Sequence, residues 1–504
     1  MKVELLGRVL SALPEDDDHP YRTGPWRPQT SEWSAPEPEV IGEIPTDLDG
    51  LYLRNTENPV HPAARMYHPF DGDGMVHMAG FRDGKVFYRN RFVQTEGFEA
   101  ERDAGRSLWA GLAENPAEAP RQRGWGARGT MKDASSTDVV VHAGVALTSF
   151  YQCGDMYRLD PLTLDTLGKA SWHGQFPSDV GVSAHPKVDE HTGEMMFFNY
   201  SDKPPYMHYG VVDAEDRLVT YVDVPLPGPR VPHDMAFTEN YAILNDCPLF
   251  SDAEAIARGS YAPRFHREIP TRIGLIPRHG TTEQIRWFEA DPTFVLHWVN
   301  AYEDGDEVVL DGFFQDNPVP APRVGASAYD NIFRFLGLDG IQPHLHRWRL
   351  NLSTGLAKEE RLTDSITEFG MVNGRHGGRR HRYAYAASGV PNMFLFDGLV
   401  KHDIDRGTEE RYMLGEGVFG SETAMAPRVG ATAEDDGYLI MFTTDMVNDR
   451  SECLVLDAAR VSDGPIARIR LPERISSGTH STWAPGSDLP GWRSSDDPAA
   501  ALRL

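Results

Sequence analysis

Short β-prone runs recur along nearly the whole chain, among them KVFYRNRFV, DVVVHAGVALTSF, EMMFFNY, RLVTYVDV, YAILND, TFVLHWVNAY, EVVLDGFF, RYAYAA, NMFLFDG, GYLIMFTT and CLVLDAA. Each is rich in β-branched and aromatic residues and too short for a helix, so each is read as a strand. Between them lie RDGK at 82–85, DEHTGE at 189–194, YEDGDE at 302–307 and EDDGY at 434–438, which supply the Asp/Gly chemistry of hairpin turns. Neighbouring strands therefore pair antiparallel. Helical patterns are sparse: FEAERDAGRSLWAGLAE at 98–114 is the longest, with DAEAIARG at 252–259 and NIFRFLG at 331–337 shorter. An antiparallel β-protein of 504 residues must protect its sheet edges, and radial repetition of four-stranded sheets does so at about this length. The reading is an all-β propeller forming a single domain over 1–504, with the Pro- and Trp-rich residues 1–45 wrapped on its body.

Composition narrows the function. A net charge of −26 argues against nucleic acid and anionic lipid as main partners, because both need concentrated Lys and Arg. Three cysteines, Cys153, Cys247 and Cys453, with no CxxC spacing, leave neither a disulfide framework nor a thiolate zinc site. Glu4 and Arg8 interrupt the apolar residues at the start, and no run long enough to span a bilayer occurs. The expectation is a soluble, cytoplasmic protein.

Of 19 histidines, four stand apart by context: His185 in GVSAHPKVD, His233 in RVPHDMAF, His297 in TFVLHWVNAY and His480 in SSGTHSTWAPG. Each abuts a strand or turn edge, and their long separations suit a propeller axis, where distant segments converge. Four neutral imidazoles leave a divalent ion its full charge and, in octahedral geometry, two adjacent open positions. Imidazole suits zinc, copper and iron alike, so ligand type alone does not choose the metal.

GLYLRNTENP at 50–59, FDGDGMVH at 70–77, SAHPKVDEHTGE, PHDMAFTENY, HWVNAYEDGDEVVLD, EDDGYLIMF and GTHSTWAP occur in one order over nearly the whole chain. In this the sequence resembles the carotenoid cleavage oxygenases, including their stilbene- and phenylpropenoid-cleaving branches. The resemblance implies a seven-bladed propeller with a loop and helix cap, and one Fe(2+) per chain on the axis, held by His185, His233, His297 and His480. It further implies glutamates that take the second N–H of the ligand histidines: two carry over as Glu368 in ITEFG and Glu422 in GSETA, while Gln152 stands at the third position. No catalytic group beyond the metal centre is implied.

The reaction implied is cleavage of a conjugated carbon–carbon double bond by dioxygen into two carbonyl products. The substrate would be a small apolar or aromatic alkene. FEAERDAGRSLWAG resembles the aryl-alkene branch, whereas the Tyr and Lys that hold a phenol oxygen in stilbene-cleaving relatives correspond to Leu112 and Tyr151 here. Lys132 is the nearby lysine. Membrane contact is expected only for a carotenoid substrate, through an apolar patch such as Ile332, Phe333, Phe335 and Leu336. The alternatives are a non-catalytic ligand-binding propeller and a zinc hydrolase on the same scaffold. GEGVFG at 415–420 lacks a following helix, DGDG at 71–74 lacks the remaining calcium-loop ligands, and His344 with His346 reads as one polar strand face. Asn199 and Asn351 head glycosylation-like triplets without secretory context.

Overall fold

The computed structural model describes residues 2–61, 67–123, 127, 129, 131–177, 179–250, 263–322, 324–325 and 333–493. Almost every element is an antiparallel strand. Two compact units emerge: Met1–Ala184, Ala214–Asp216 and Leu414–Leu504 form one, His185–Asp213 and Arg217–Met413 the other.

In the first unit, one sheet runs Lys2–Arg8, Ser31–Glu37, Lys85–Phe92, Asp73–Arg82, Gly50–Arg54, Ser481–Pro485, joining both ends of the chain. A second runs Asp138–His142, Val145–Ser149, Tyr157–Leu159, Thr166–Lys169. In a third, Val418–Gly420 and Ala424–Pro427 pair with Gly437–Asp445, followed by Arg450–Asp457, Pro465–Arg470 and Val40–Gly42.

Besides the short pair Leu249–Phe250 with Arg264–Phe265, the second unit has, among the described residues, four larger sheets in chain order. Lys187–Val188 opens one that ends at Leu218–Pro225. Ala236–Phe237 opens the next, ending at Arg286–Ala290. Trp298–Asp304 opens a third, which reaches the first part of Ala357–Met371. The last part of that same long strand pairs with Tyr383–Gly389 and so begins the fourth.

Side chains alternate across each strand, so one sheet can feed two cores, as the first sheet of the first unit does. Tyr52, Ala79, Phe81 and Tyr88 pack toward the third sheet of the first unit, with Ile440, Phe442 and Val455. Their neighbours Leu51, Leu53, Val76 and Met78 pack toward the second, with Val139, Ala146 and Leu159. This double burial explains why the strands read as nearly continuous apolar runs rather than clean alternation. The RDGK turn has φ 52° at Asp83 and 72° at Gly84, the paired left-handed conformations of a two-residue hairpin.

Three expectations need correction. The helix read over 98–114 is Glu96–Ala104: the Thr95 hydroxyl accepts from Phe98 N–H at its start, and Gly105, at φ 63°, ends it. Residues 1–45 are not merely wrapped on the body, because Lys2–Arg8, Ser31–Glu37 and Val40–Gly42 are strands within the sheets. NIFRFLG contributes only a 3-10 turn, Arg334–Leu336, before a single helical turn, Leu338–Ile341. DAEAIARG and Ile332 lie outside the described residues. Phe333 and Leu336 are buried and only Phe335 is exposed, so these described residues do not make a patch. Among the described residues no helix is long and apolar enough to cross a membrane.

Candidate metal centre

In the second unit, three of the candidate histidines sit at the entrances of three successive sheets. His185 precedes Pro186 and the strand Lys187–Val188, His233 lies just before Ala236–Phe237, and His297 directly precedes Trp298–Asp304. All three are buried. Nε2 of His185 lies 3.2 Å from Nε2 of His233, and the ring centroids are 4.9 to 5.2 Å apart. Ligating nitrogens of His185 and His297 fall within 4.8 Å of each other. His185 adopts φ 67°, a left-handed conformation uncommon for a residue with a Cβ. Such strain costs on the order of 1–3 kcal/mol and persists where the surroundings impose it.

The other nitrogen of His297 is accounted for. Its Nδ1 lies 2.5 Å from Oε2 of the fully buried Glu368, which also accepts from Phe369 N–H at 2.8 Å. Donation from Nδ1 to a carboxylate fixes the tautomer and leaves the Nε2 lone pair for a metal. Converging neutral imidazoles, one braced by a carboxylate, fit a divalent transition metal.

In the first unit, His480 directly precedes Ser481–Pro485 and is buried. Its Nδ1 lies 3.3 Å from Glu422 Oε1, while Ser481 N–H donates to Glu422 Oε2 at 2.5 Å. Burial alone would lower the His480 pKa, but Glu422 outweighs it and holds the imidazole above the ordinary histidine value. Gln152 is half-buried in the turn between Tyr151 and Cys153.

Leu112 and Tyr151 come together. Both belong to an apolar cluster with Phe70, Ala134, Phe150 and Ala184, the last being the residue before His185. Lys132 lies elsewhere: its buried ammonium reaches Glu101 Oε2 at 2.7 Å, Asp73 Oδ1 at 2.9 Å and the His61 carbonyl at 3.1 Å. Burial would lower its pKa, but Asp73 and Glu101 raise it above the ordinary lysine value. With three acceptors for its three protons, Lys132 serves the fold and not a phenolate.

Sequence reasoning missed the carboxylates that hold this region. Asp71 accepts from Leu112 N–H at 3.0 and 3.2 Å, and Glu101 from Leu108 N–H at 2.9 Å. The acids of FDGDG are thus internal acceptors, and that run of acids between Phe70 and the buried strand Asp73–Arg82 was the available signal. GEGVFG ends in the strand Val418–Gly420, not a helix. His344 and His346 share the strand Pro343–Asn351, as read.

Comparison with known proteins places the chain in a family. The family model described as retinal pigment epithelial membrane protein matches residues 26–485. A carotenoid 9,10(9',10')-cleavage dioxygenase from Phaseolus vulgaris is 32% identical, covering 95% of this chain and 92% of that one. Lignostilbene-alpha,beta-dioxygenase isozyme III from Sphingomonas paucimobilis is also 32% identical, over 93% and 97%. The crystal structure of Pseudomonas brassicacearum lignostilbene dioxygenase superposes with a TM-score of 0.80 at 27% identity, covering 93% and 98%. The protein is an oxidoreductase with the all-β propeller fold. It belongs to the carotenoid cleavage oxygenase family.

Proposed function

We propose that His185, His233, His297 and His480 hold one iron(II) and that the chain cleaves a conjugated double bond with dioxygen, its substrate an aryl alkene or an apocarotenoid. The observation that carries this reading is the convergence of His185, His233 and His297, with Glu368 on the far nitrogen of His297. His480 shows the same pairing of imidazole with carboxylate, through Glu422. Iron held by these imidazoles would supply dioxygen activation; were both oxygen atoms to enter the two carbonyl products, no external reductant would be needed.

The chain's own residues bind, orient and exclude. Glu368 and Glu422 fix the rings of His297 and His480, and Gln152, in the third position, offers an amide oxygen without the charge. Phe70, Leu112, Phe150 and Tyr151 offer an apolar wall against which an alkene can pack and from which water is kept out. The seven blades of a single domain over 1–504, implied by the family resemblance, belong to the same proposal. A cytoplasmic location is part of this proposal.

The test is product analysis. Iron(II)-loaded protein is incubated under labelled dioxygen with trans-stilbene, a phenylpropenoid and an apocarotenoid. Two labelled carbonyl products from at least one substrate are expected. Stoichiometric iron with no cleavage of any would contradict the reading and favour a ligand-binding role.

A further inference from the structure

Three histidine-bearing segments of the second unit meet on one carboxylate. Asp234, next to His233, is buried at 1% exposure. Its Oδ2 accepts from the backbone N–H of Trp298, next to His297, at 2.8 Å. Its Oδ1 receives the ammonium of Lys187, two residues beyond His185, at 2.8 Å, and its own chain's Met235 N–H at 2.7 Å. The Asp234 carbonyl in turn accepts from the Asn245 side chain at 2.7 Å, which ties it to the next strand of its sheet. A carboxylate is an acceptor with about four lone-pair sites, so one group can hold three donors from three segments at once. Hydrogen bonds to an ionised acceptor are roughly twice as strong as neutral ones.

We infer that Asp234, with Lys187 as its cationic partner, is a positioning residue that sets the spacing of His185, His233 and His297 before any metal arrives. Each histidine stands at the entry to a strand of a different sheet, and the ladders that begin at Lys187 and Trp298 bond within their own sheets, so cross-strand bonds do not fix the histidines relative to one another. Asp234 supplies that register, and Lys187 neutralises the charge it brings. The HPK and PHD triplets thereby gain a shared role: in each, a histidine is followed at once or after one residue by half of the ion pair that aligns it. The inference rests on the proposed ligand set for its consequence at the metal, but its geometric part stands on the metal-free chain.

The test uses Asp234→Asn, Asp234→Ala and Lys187→Met in the full chain, with Arg347→Met as control. Arg347 pairs bidentately with buried Asp311 at 2.8 Å in the same unit, and its guanidinium lies over the ring of Tyr302, four residues along the strand from Trp298. Hydrogen exchange of the Trp298 amide is read on metal-free protein, and iron affinity by chelator competition. Asp234→Ala should speed Trp298 exchange at least tenfold. Asp234→Asn and Asp234→Ala should weaken iron about 10- to 100-fold, the usual cost of losing an orienting partner. Lys187→Met should weaken it less, and Arg347→Met should lower thermal stability with iron affinity intact. Unchanged Trp298 exchange in Asp234→Ala would overturn the inference outright. Iron loss in Arg347→Met equal to that in Asp234→Asn would also overturn it, since Asp234 would then be one more buried ion pair. Wild-type protein that binds no metal would sink the ligand set, while the exchange measurement would still decide whether Asp234 holds the Trp298 segment.

Discussion

Two histidine–glutamate pairs, one in each unit, are built to the same plan and differ in tightness. Between His297 and Glu368 the distance is 2.5 Å, and the Glu368 side chain is fully buried. Between His480 and Glu422 it is 3.3 Å, and Glu422 keeps 14% of its side chain exposed while also accepting from Ser481 N–H. Both carboxylates also accept from a backbone N–H, so the difference lies in distance and burial: the fully buried one is held on its imidazole, whereas the partly wet one can relax. Glu368 is therefore the stronger determinant of ring orientation, and Glu422 serves the Ser481 backbone as much as the ring.

The largest effect should come from the ligand itself. His297→Ala should abolish iron binding, read as metal per chain, with the circular dichroism of the sheets unchanged; retained stoichiometric iron and activity would remove His297 from the set. Glu368→Ala should follow, weakening iron roughly 10- to 100-fold in chelator competition. Glu422→Ala should cost less than about tenfold, and the reverse order would break the comparison.

Glu57 sharpens the contrast on the His480 side. It is buried, and burial pushes its pKa from 4.5 to about 8. The Thr479 hydroxyl lies 3.2 and 3.3 Å from its oxygens but 2.9 Å from the Thr137 carbonyl, which can only accept. One hydroxyl proton cannot serve both, so Thr479, at the shorter distance from the Thr137 carbonyl, offsets little of the effect of burial on Glu57. The folded chain thus binds a proton that the unfolded chain releases between pH 4.5 and about 8. Its contribution to stability falls as pH rises through that window and is level above it. Glu57→Gln should flatten this slope and stabilise the fold at pH 8 by on the order of 3 kcal/mol, read by denaturant titration at pH 5 and pH 8. Equal slopes in variant and wild type would show that Glu57 is ionised throughout. The smallest effect should be that of Gln152→Glu, which restores a charge in a half-buried turn and should tighten iron by about threefold or less.

Much of the fold was legible because its signals are local. Asp83 and Gly84 take the left-handed conformations their residue types suggest, and runs such as EMMFFNY and GYLIMFTT became the strands Met195–Tyr200 and Gly437–Asp445. The N-terminal strands were illegible because Ser31–Glu37 carries Pro36 and is stabilised by pairing with Lys2–Arg8 and Lys85–Phe92, partners remote in sequence or weakly patterned. The helix over 98–114 was overextended because Gly105 ends it while Leu108, Trp109 and Leu112 continue the apolar pattern in a loop held by Glu101 and Asp71. At the candidate site the histidines stood out by context. Asp234, Asp71 and Glu57 did not, because an acceptor for distant backbone N–H groups has no sequence period; only the fold shows which donors reach it.

X-ray absorption at the iron edge of the loaded, anaerobic protein tests the central claim most directly. One iron per chain with the multiple-scattering pattern of four imidazoles and no sulfur is the result expected. A shell of three or fewer imidazoles that is unaltered by His480→Ala would contradict it.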